Sequence, residues 1–292
     1  MIKCDHKRET PRKIVITFYF FMEANMKKTN SKKNYNVLKD DNAPSIFSPD
    51  EIVSCGGVGV SKPVPEVNEE KADTRTKNSK KNEKSGNGIT EIVFIIDKSG
   101  SMAGLEEDTI GGINAFIETQ KNEEGTALVT TVLFSTKFEK KHDRLSLSEI
   151  EPMTRADYCV GGGTALYDAL GDAIEHITMV HKYIRKEDVP EKTIFVITTD
   201  GEENSSHRFG SSDVKKMIKS CEKNLGWEFL FLGADIDAFA AADSIGINRA
   251  HAAKYERGNT RGMFGAVGSA VSYCRRVGSI DEKWAKDIDT GD

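Results

Sequence analysis

Two aspartates and three hydroxyl residues in three separated segments are the side chains best suited to chemistry. They are Asp97, Ser99 and Ser101 in VFIIDKSGSM, Thr164 in VGGGTAL, and Asp200 in FVITTDGEEN. Together they offer only oxygen donors, a hard set that matches a divalent cation such as Mg2+. A D-x-S-x-S string arises by chance in roughly one chain in ten of this length, so alone it decides little. Its context carries more. The string begins at the end of an apolar run, a triple glycine with Thr164 follows well downstream, and a second Asp after an apolar run comes after that. Each residue also has a local explanation. Thr164 stands where a helix N-cap would be, although Tyr167 in place of Glu leaves the capping box incomplete. Ser99, Ser101 and the Asp200-Gly201 pair could be turn residues. Their coincidence in one pattern favours a shared ligand, and Gly161 to Gly163 would let the backbone approach an ion closely.

The elements that must position these residues alternate strand and helix from Ile89 onward. Ile92 to Ile96 and Ile194 to Thr198 lack polar alternation and end abruptly in an Asp. Such runs read as strands covered on both faces, and ligand sites in open α/β sheets lie just beyond their carboxyl ends. Strands are expected at Thr90 to Asp97, Ala127 to Ser135, Thr193 to Thr199, Trp227 to Leu232 and near Ala250 to Tyr255. The polar Lys137 to Asp143 should return as an antiparallel edge strand whose lysines protect the edge. Helices are expected at Glu106 to Lys121, after Thr164, around Val214 to Cys221, at Asp237 to Ser244, and from Met263 to Cys274. The second has the clearest period, with Leu166, Ala169, Leu170, Ala173, Ile174 and Ile177 on one face. The implied fold is α/β: a Rossmann-like, doubly wound, mostly parallel six-stranded sheet with one antiparallel edge strand and helices on both faces.

These segments resemble the von Willebrand factor type A (VWA) domain with its metal-ion-dependent adhesion site (MIDAS), of a stand-alone bacterial type. That family's pattern is D-x-S-x-S, a Thr in a Gly-rich loop, and an Asp in a T-D-G turn. All five positions are filled here, and the resemblance covers about residues 89–278. It implies Ser99, Ser101 and Thr164 as hydroxyl ligands, with Asp97 and Asp200 acting largely through bound water. Mg2+ keeps octahedral geometry and gives up water reluctantly, so few direct carboxylates leave it underneutralised with positions open. An Asp or Glu of a partner protein can then complete the shell. The expected function is therefore metal-dependent protein binding, with Mg2+ or Mn2+ held on surface loops. Soluble relatives of this kind act as adaptors beside ATPases, kinases or other complexes.

Composition narrows the alternatives. The net charge of −5 divides unevenly: residues 1–88 carry 17 Lys+Arg against 12 Asp+Glu, leaving −10 to residues 89–292. An acidic folded portion argues against nucleic acid, which needs a basic face. Five cysteines with no C-x-x-C pair give neither a zinc ribbon nor a disulfide framework, which suits the cytoplasm. Residues 1–88 read as a disordered basic region and linker, 89–278 as the VWA domain, and 279–292 as a short tail. The linker is poor in apolar residues apart from Pro44 to Val53, a candidate docking peptide, and CGGVGV lacks the strand and helix of a nucleotide loop. Ile14 to Met22 is too short to span a bilayer but could be the apolar part of a signal peptide. That would make the protein a secreted or surface adhesion module, the main alternative; translation starting at Met22 or Met26 would remove the segment.

Enzymatic readings have little support. The sequence has no G-x-x-x-x-G-K-[ST], G-x-S-x-G or H-E-x-x-H, and Lys98-Ser99 lacks the second Asp of phosphoryl-transfer hydrolases. A metal-dependent hydrolase would need a base near the ion, for which Glu202 is the one candidate. Glu202, Glu203, Asn204 and His207 should ring the site. His176 and His181, five residues apart on one helix, read as surface residues on different faces.

Overall fold

Unbroken apolar runs make the centre of the sheet. In the computed structural model, which describes residues 88–234, 236–281 and 283–288, β1 (Ile89–Asp97) is buried from Thr90 onward. It lies between β2 (Thr126–Phe134) and β4 (Lys192–Thr199), parallel to both. β5 (Glu228–Ala234) and β6 (Ala252–Tyr255) extend the sheet beyond β4. β3 (Phe138–Ser146) runs antiparallel to β2 at the other edge. The order β3-β2-β1-β4-β5-β6 is the expected six-stranded, mostly parallel sheet. The edge strand extends three residues past its expected end, and its register with β2 shifts around Thr131, the kind of irregularity that bends an edge strand.

Among the described residues five α-helices cover the two faces: α1 (Glu106–Lys121), α2 (Leu166–Tyr183), α3 (Ser211–Leu225), α4 (Ala238–Ser244) and α5 (Thr260–Val277). Ile92, Phe94 and Ile96 share one core with Ile113 and Phe116 of α1 and with Phe264 and Val267 of α5. Phe116 meets Phe94 edge-on at 4.8 Å. The opposite face buries Val93, Ile95 and Phe195, with α2 packed on β1 and β2 and α3 packed on α2, and Phe195 stacks on Trp227 and Phe229 at 5.4 and 4.8 Å. Cys221 and Cys274 are core thiols, as expected for cysteines on apolar stripes. Burial pushes both up to about 12.

Two placements differ from expectation. His181 is not a surface residue: its Nε2 lies 2.7 Å from Oε2 of Glu91, and its ring meets Trp227 edge-on. Glu91 is fully buried on β1 and accepts a second bond from Arg144 Nε at 2.8 Å. A buried carboxylate needs such partners, and they come from α2 and β3, out of reach of local patterning. Described residues of the segment read as a short tail, 279–292, also pack into the core. Ile280, Trp284 and Ile288 belong to the core under α5, and the Trp284 indole donates to the Ala250 carbonyl at 2.9 Å. The N-terminal region and linker through residue 87, including Ile14 to Met22 and Pro44 to Val53, lie outside the described residues.

The winding reverses at β1. From β1 the chain passes through α1 to β2 on one side, whereas β4, β5 and β6 lie on the other. Such a switch point opens a crevice beyond the carboxyl ends of the two strands. Asp97 ends β1 and Asp200 directly follows β4, so both carboxylates stand at that crevice.

Candidate functional site

Three loops meet at the switch point, tied by their own backbones. Gly161 N donates to the Lys98 carbonyl at 2.8 Å, and Gly100 N donates to the Gly162 carbonyl at 3.0 Å, joining the glycine-rich loop to the loop after β1. Gly162 has φ of +83°, and a Cβ there would come within 2.7 Å of Thr136 Oγ1, so this position needs glycine on both counts. The loop after β4 is joined to the same unit. Asn204 N and Ser205 N both donate to the Thr164 carbonyl, at 3.0 and 3.2 Å, while Asn204 Oδ1 accepts from Thr164 N at 2.9 Å.

All five predicted side chains come together here. Ser99 Oγ and Ser101 Oγ are 3.0 Å apart, and Ser101 Oγ donates to Asp200 Oδ1 at 2.6 Å. Thr164 joins from the glycine-rich loop. A Cβ built on Gly201 would lie 3.1 Å from both Ser101 Oγ and Thr164 Oγ1, and 3.9 Å from Ser99 Oγ. The three hydroxyls therefore lie close together beside Gly201 and a carboxylate, and a side chain at that glycine would crowd Ser101 and Thr164. No group of three or more His, Cys, Asp or Glu exists among the described residues that could hold a metal. The donor set is two carboxylates and three hydroxyls, which in chemistry fits a hard divalent cation.

The burial of the site departs from the expected surface loops. Asp97, Ser99, Thr164 and Asp200 are buried, and Ser101 alone is exposed. Asp97 is held from three directions. Its Oδ1 accepts from Ser99 N at 2.7 Å, its Oδ2 accepts from Thr199 Oγ1 at 2.6 Å, and the buried Tyr158 hydroxyl donates to its carbonyl. Burial raises the Asp97 pKa above the usual carboxylate value; the bonds from Thr199 and Ser99 oppose that, and the nearby Asp200 adds to it. Burial drives the Tyr158 hydroxyl up as well, keeping it neutral as a donor.

Thr164 is not a helix cap. The residue before α2 is Ala165, with no capping side chain of its own. The first amides of α2 are instead satisfied by the loop after β4: Tyr167 N by Glu203 Oε2 at 2.9 Å and Asp168 N by Ser206 Oγ at 3.0 Å. Asp168 returns the connection, accepting from the amides of His207, Arg208 and Phe209 at 2.8, 2.8 and 2.9 Å. Of the residues expected to ring the site, Glu203 and Asn204 are thus occupied in building it, while Glu202 and His207 are exposed.

Sequence reasoning missed Thr199, Tyr158, Asp168 and Arg257. Arg257 follows β6 and places its guanidinium Nη2 3.3 Å from Asp200 Oδ2. Thr199 had a usable signal, since it adjoins Asp200 at a buried strand end. The other three reach the site only through the fold.

The family model for VWA domain containing CoxE-like protein matches residues 80–230, just over half of the chain. No curated protein matches. Among solved structures, the chain is similar to proximal thread matrix protein 1 from the mussel byssus, at 14% identity over 63% of this chain and 46% of that one, TM-score 0.44. A further structure of that mussel protein has a zinc-occupied MIDAS motif. Similarity extends to the ArnB paralog VWA2 from Sulfolobus acidocaldarius, at 16% identity over 63% and 45% of the two chains, TM-score 0.43. The vWF domain of the pilus tip protein Mfa5 from Porphyromonas gingivalis is 12% identical over 66% of this chain and 98% of that domain, TM-score 0.44. The chain thus spans less than half the length of the first two.

Proposed function

From the premise that this chain belongs to the family of VWA domain containing CoxE-like proteins, we propose that it is a metal-dependent protein-binding adaptor. Asp97, Ser99, Ser101, Thr164 and Asp200 hold a divalent cation, Mg2+ or Mn2+. When bound, that ion supplies an underneutralised positive charge with open coordination positions, on which an Asp or Glu of a partner protein docks. The observation that carries the reading is the meeting of the Ser99, Ser101 and Thr164 hydroxyls beside Gly201 and the Asp200 carboxylate.

The chain's own residues do the positioning. The hydrogen bond from Thr199 fixes Asp97 across the switch point, and Ser101 is held against Asp200. Glu203 and Asn204 hold the glycine-rich loop and the loop after β4 together, so Thr164 is presented from a separate loop that needs no help from the other two hydroxyls.

Binding is favoured over catalysis because neither acidic candidate beside the site, Glu202 or Glu203, is set as a base among the described residues. Glu203 spends both carboxylate oxygens on backbone amides and Ser206, and Glu202 is exposed. We place the adaptor in the cytoplasm on the strength of its cysteine usage. Among the described residues no helix is long and apolar enough to cross a membrane.

The test is affinity capture by the immobilised full chain in Mg2+ or in chelator, with captured proteins identified by mass spectrometry. Wild type should retain a defined partner in Mg2+ and release it in chelator, and Ser99→Ala with Ser101→Ala should retain none. Partner binding that survives chelator would place the interaction surface elsewhere on the domain.

A further inference from the structure

The Asp200 carboxylate already has a cation beside it. Arg257 sits in the short turn Arg257–Asn259 between β6 and α5, far from the other site residues in sequence. Its Nη2 lies 3.3 Å from Asp200 Oδ2, donates to the Ser101 carbonyl, and lies 3.4 Å from the Ala103 carbonyl. One guanidinium nitrogen thus touches the loop after β1 and the carboxylate after β4, the two sides of the crevice. The Asp200 side chain is fully buried whereas that of Arg257 is 37% exposed, so the carboxylate is fixed and the guanidinium is the member that can withdraw into water.

Two buried carboxylates with no cation would be costly, because desolvation penalises each charge and the two like charges repel. Arg257 offsets that cost at Asp200. A divalent ion at the same carboxylate changes the balance, since two cations a few ångströms apart in a partly dry site repel strongly. Arg257 and the ion therefore compete for Asp200. The flexible, partly exposed arginine has somewhere to go.

We infer that Arg257 is the resident countercharge of the ion-free site: it holds Asp200 until a divalent ion binds, withdraws when one does, and so sets the ion concentration at which the site fills. This rests on the metal reading above and adds to it a residue that works against the ion. A purely structural Arg257, acting as a tie between the turn and residues 101–103, predicts the opposite sign. Losing such a tie would loosen Ser101 and weaken ion binding.

The test uses the full chain, stripped with chelator and desalted. Mn2+ binding is read from loss of the free-ion electron paramagnetic resonance signal, in wild type, Arg257→Gln, Arg257→Lys, and the Ser99→Ala, Ser101→Ala double variant. Gln keeps a donor for the Ser101 carbonyl and removes the charge, so Arg257→Gln should bind Mn2+ about tenfold more tightly. Arg257→Lys, which keeps the charge, should stay near wild type. Equal or weaker binding by Arg257→Gln, with wild type binding normally, overturns the role of Arg257 and leaves the metal site standing. No binding by wild type and Arg257→Gln alike, or undiminished binding by the double serine variant, defeats the metal reading itself. A second measurement needs no variant. Saturating Mg2+ should speed phenylglyoxal modification of Arg257 in the wild type, located by peptide mass spectrometry, and an unchanged or slower rate counts against withdrawal.

Discussion

Asp97 shows how a single residue of this site trades stability for readiness. It is fully buried, and desolvation raises its pKa despite hydrogen bonds from Thr199 and Ser99. For a carboxyl whose folded pKa lies above its unfolded value near 3.8, the folded state binds more protons between those two values. The stabilising contribution is therefore full below the unfolded pKa and is lost as pH rises through the folded one. Ionising this buried carboxyl in the ion-free protein therefore carries a cost. Asp97→Asn should therefore melt a few degrees higher than wild type in chelator at pH 7. It should also flatten the rise in stability expected on acidification toward the ordinary carboxylate range, and it should abolish Mn2+ binding. Thermal melts between pH 4.5 and 7 in chelator check this. A variant that melts lower than wild type at pH 7 would mean that the Thr199 and Ser99 bonds outweigh burial and that the charge is stabilising. Replacing one of the five proposed ligands is thus not neutral for the fold, because four of the five side chains are buried.

At the scale of elements, the loop after β4 and the start of α2 stabilise each other. Asp168 accepts three backbone amides of that loop, and Glu203 and Ser206 accept the first amides of α2. Asp168→Ala removes the acceptor for three amides in a half-dry place, each of which then needs water or goes unpaired. The expected loss is about 2–3 kcal/mol by urea denaturation, with faster hydrogen exchange at His207, Arg208 and Phe209. A loss near zero would show that the loop rehydrates freely and does not position Thr164. This connection also marks what sequence could and could not reveal. The central strands were legible because a two-faced strand must be apolar throughout, and α2 because a buried face imposes its period. The amide partners of α2 were not legible, because they arrive from a loop some forty residues downstream, as Tyr167 to Glu203 shows. The proximity of the five oxygen-bearing residues was legible because each sits at a strand end or on a glycine turn. Arg257 was not, being brought to Ser101 across a separation of 156 residues. The same reason hid His181 beside Glu91, and Trp284 against Ala250.

At the scale of the whole molecule, the switch point makes one small site a junction between both halves of the sheet. The loop after β1, the glycine-rich loop and the loop after β4 each supply part of the oxygen set, and they follow strands on opposite sides of the reversal. An ion held by all three should therefore act as a global tie. By mass action, binding only to the folded state at 100 times its dissociation constant adds about 2.7 kcal/mol. The melting temperature should accordingly climb with Mg2+ concentration and fall back on chelation. The distribution of the effect is the sharper test. Hydrogen exchange in saturating Mg2+ should slow together in residues 97–104, 161–165 and 199–206. The edge strand β3, which contributes no ligand, should change only as much as global stability requires. Protection confined to residues 97–104 would mean that the ion is held by Asp97, Ser99 and Ser101 alone. In that case Thr164 and Asp200 would be bystanders, and the crevice between β1 and β4 would not be the binding element. Joint protection of the three loops, lost together in the double serine variant, would tie the sheet's reversal to the site it creates.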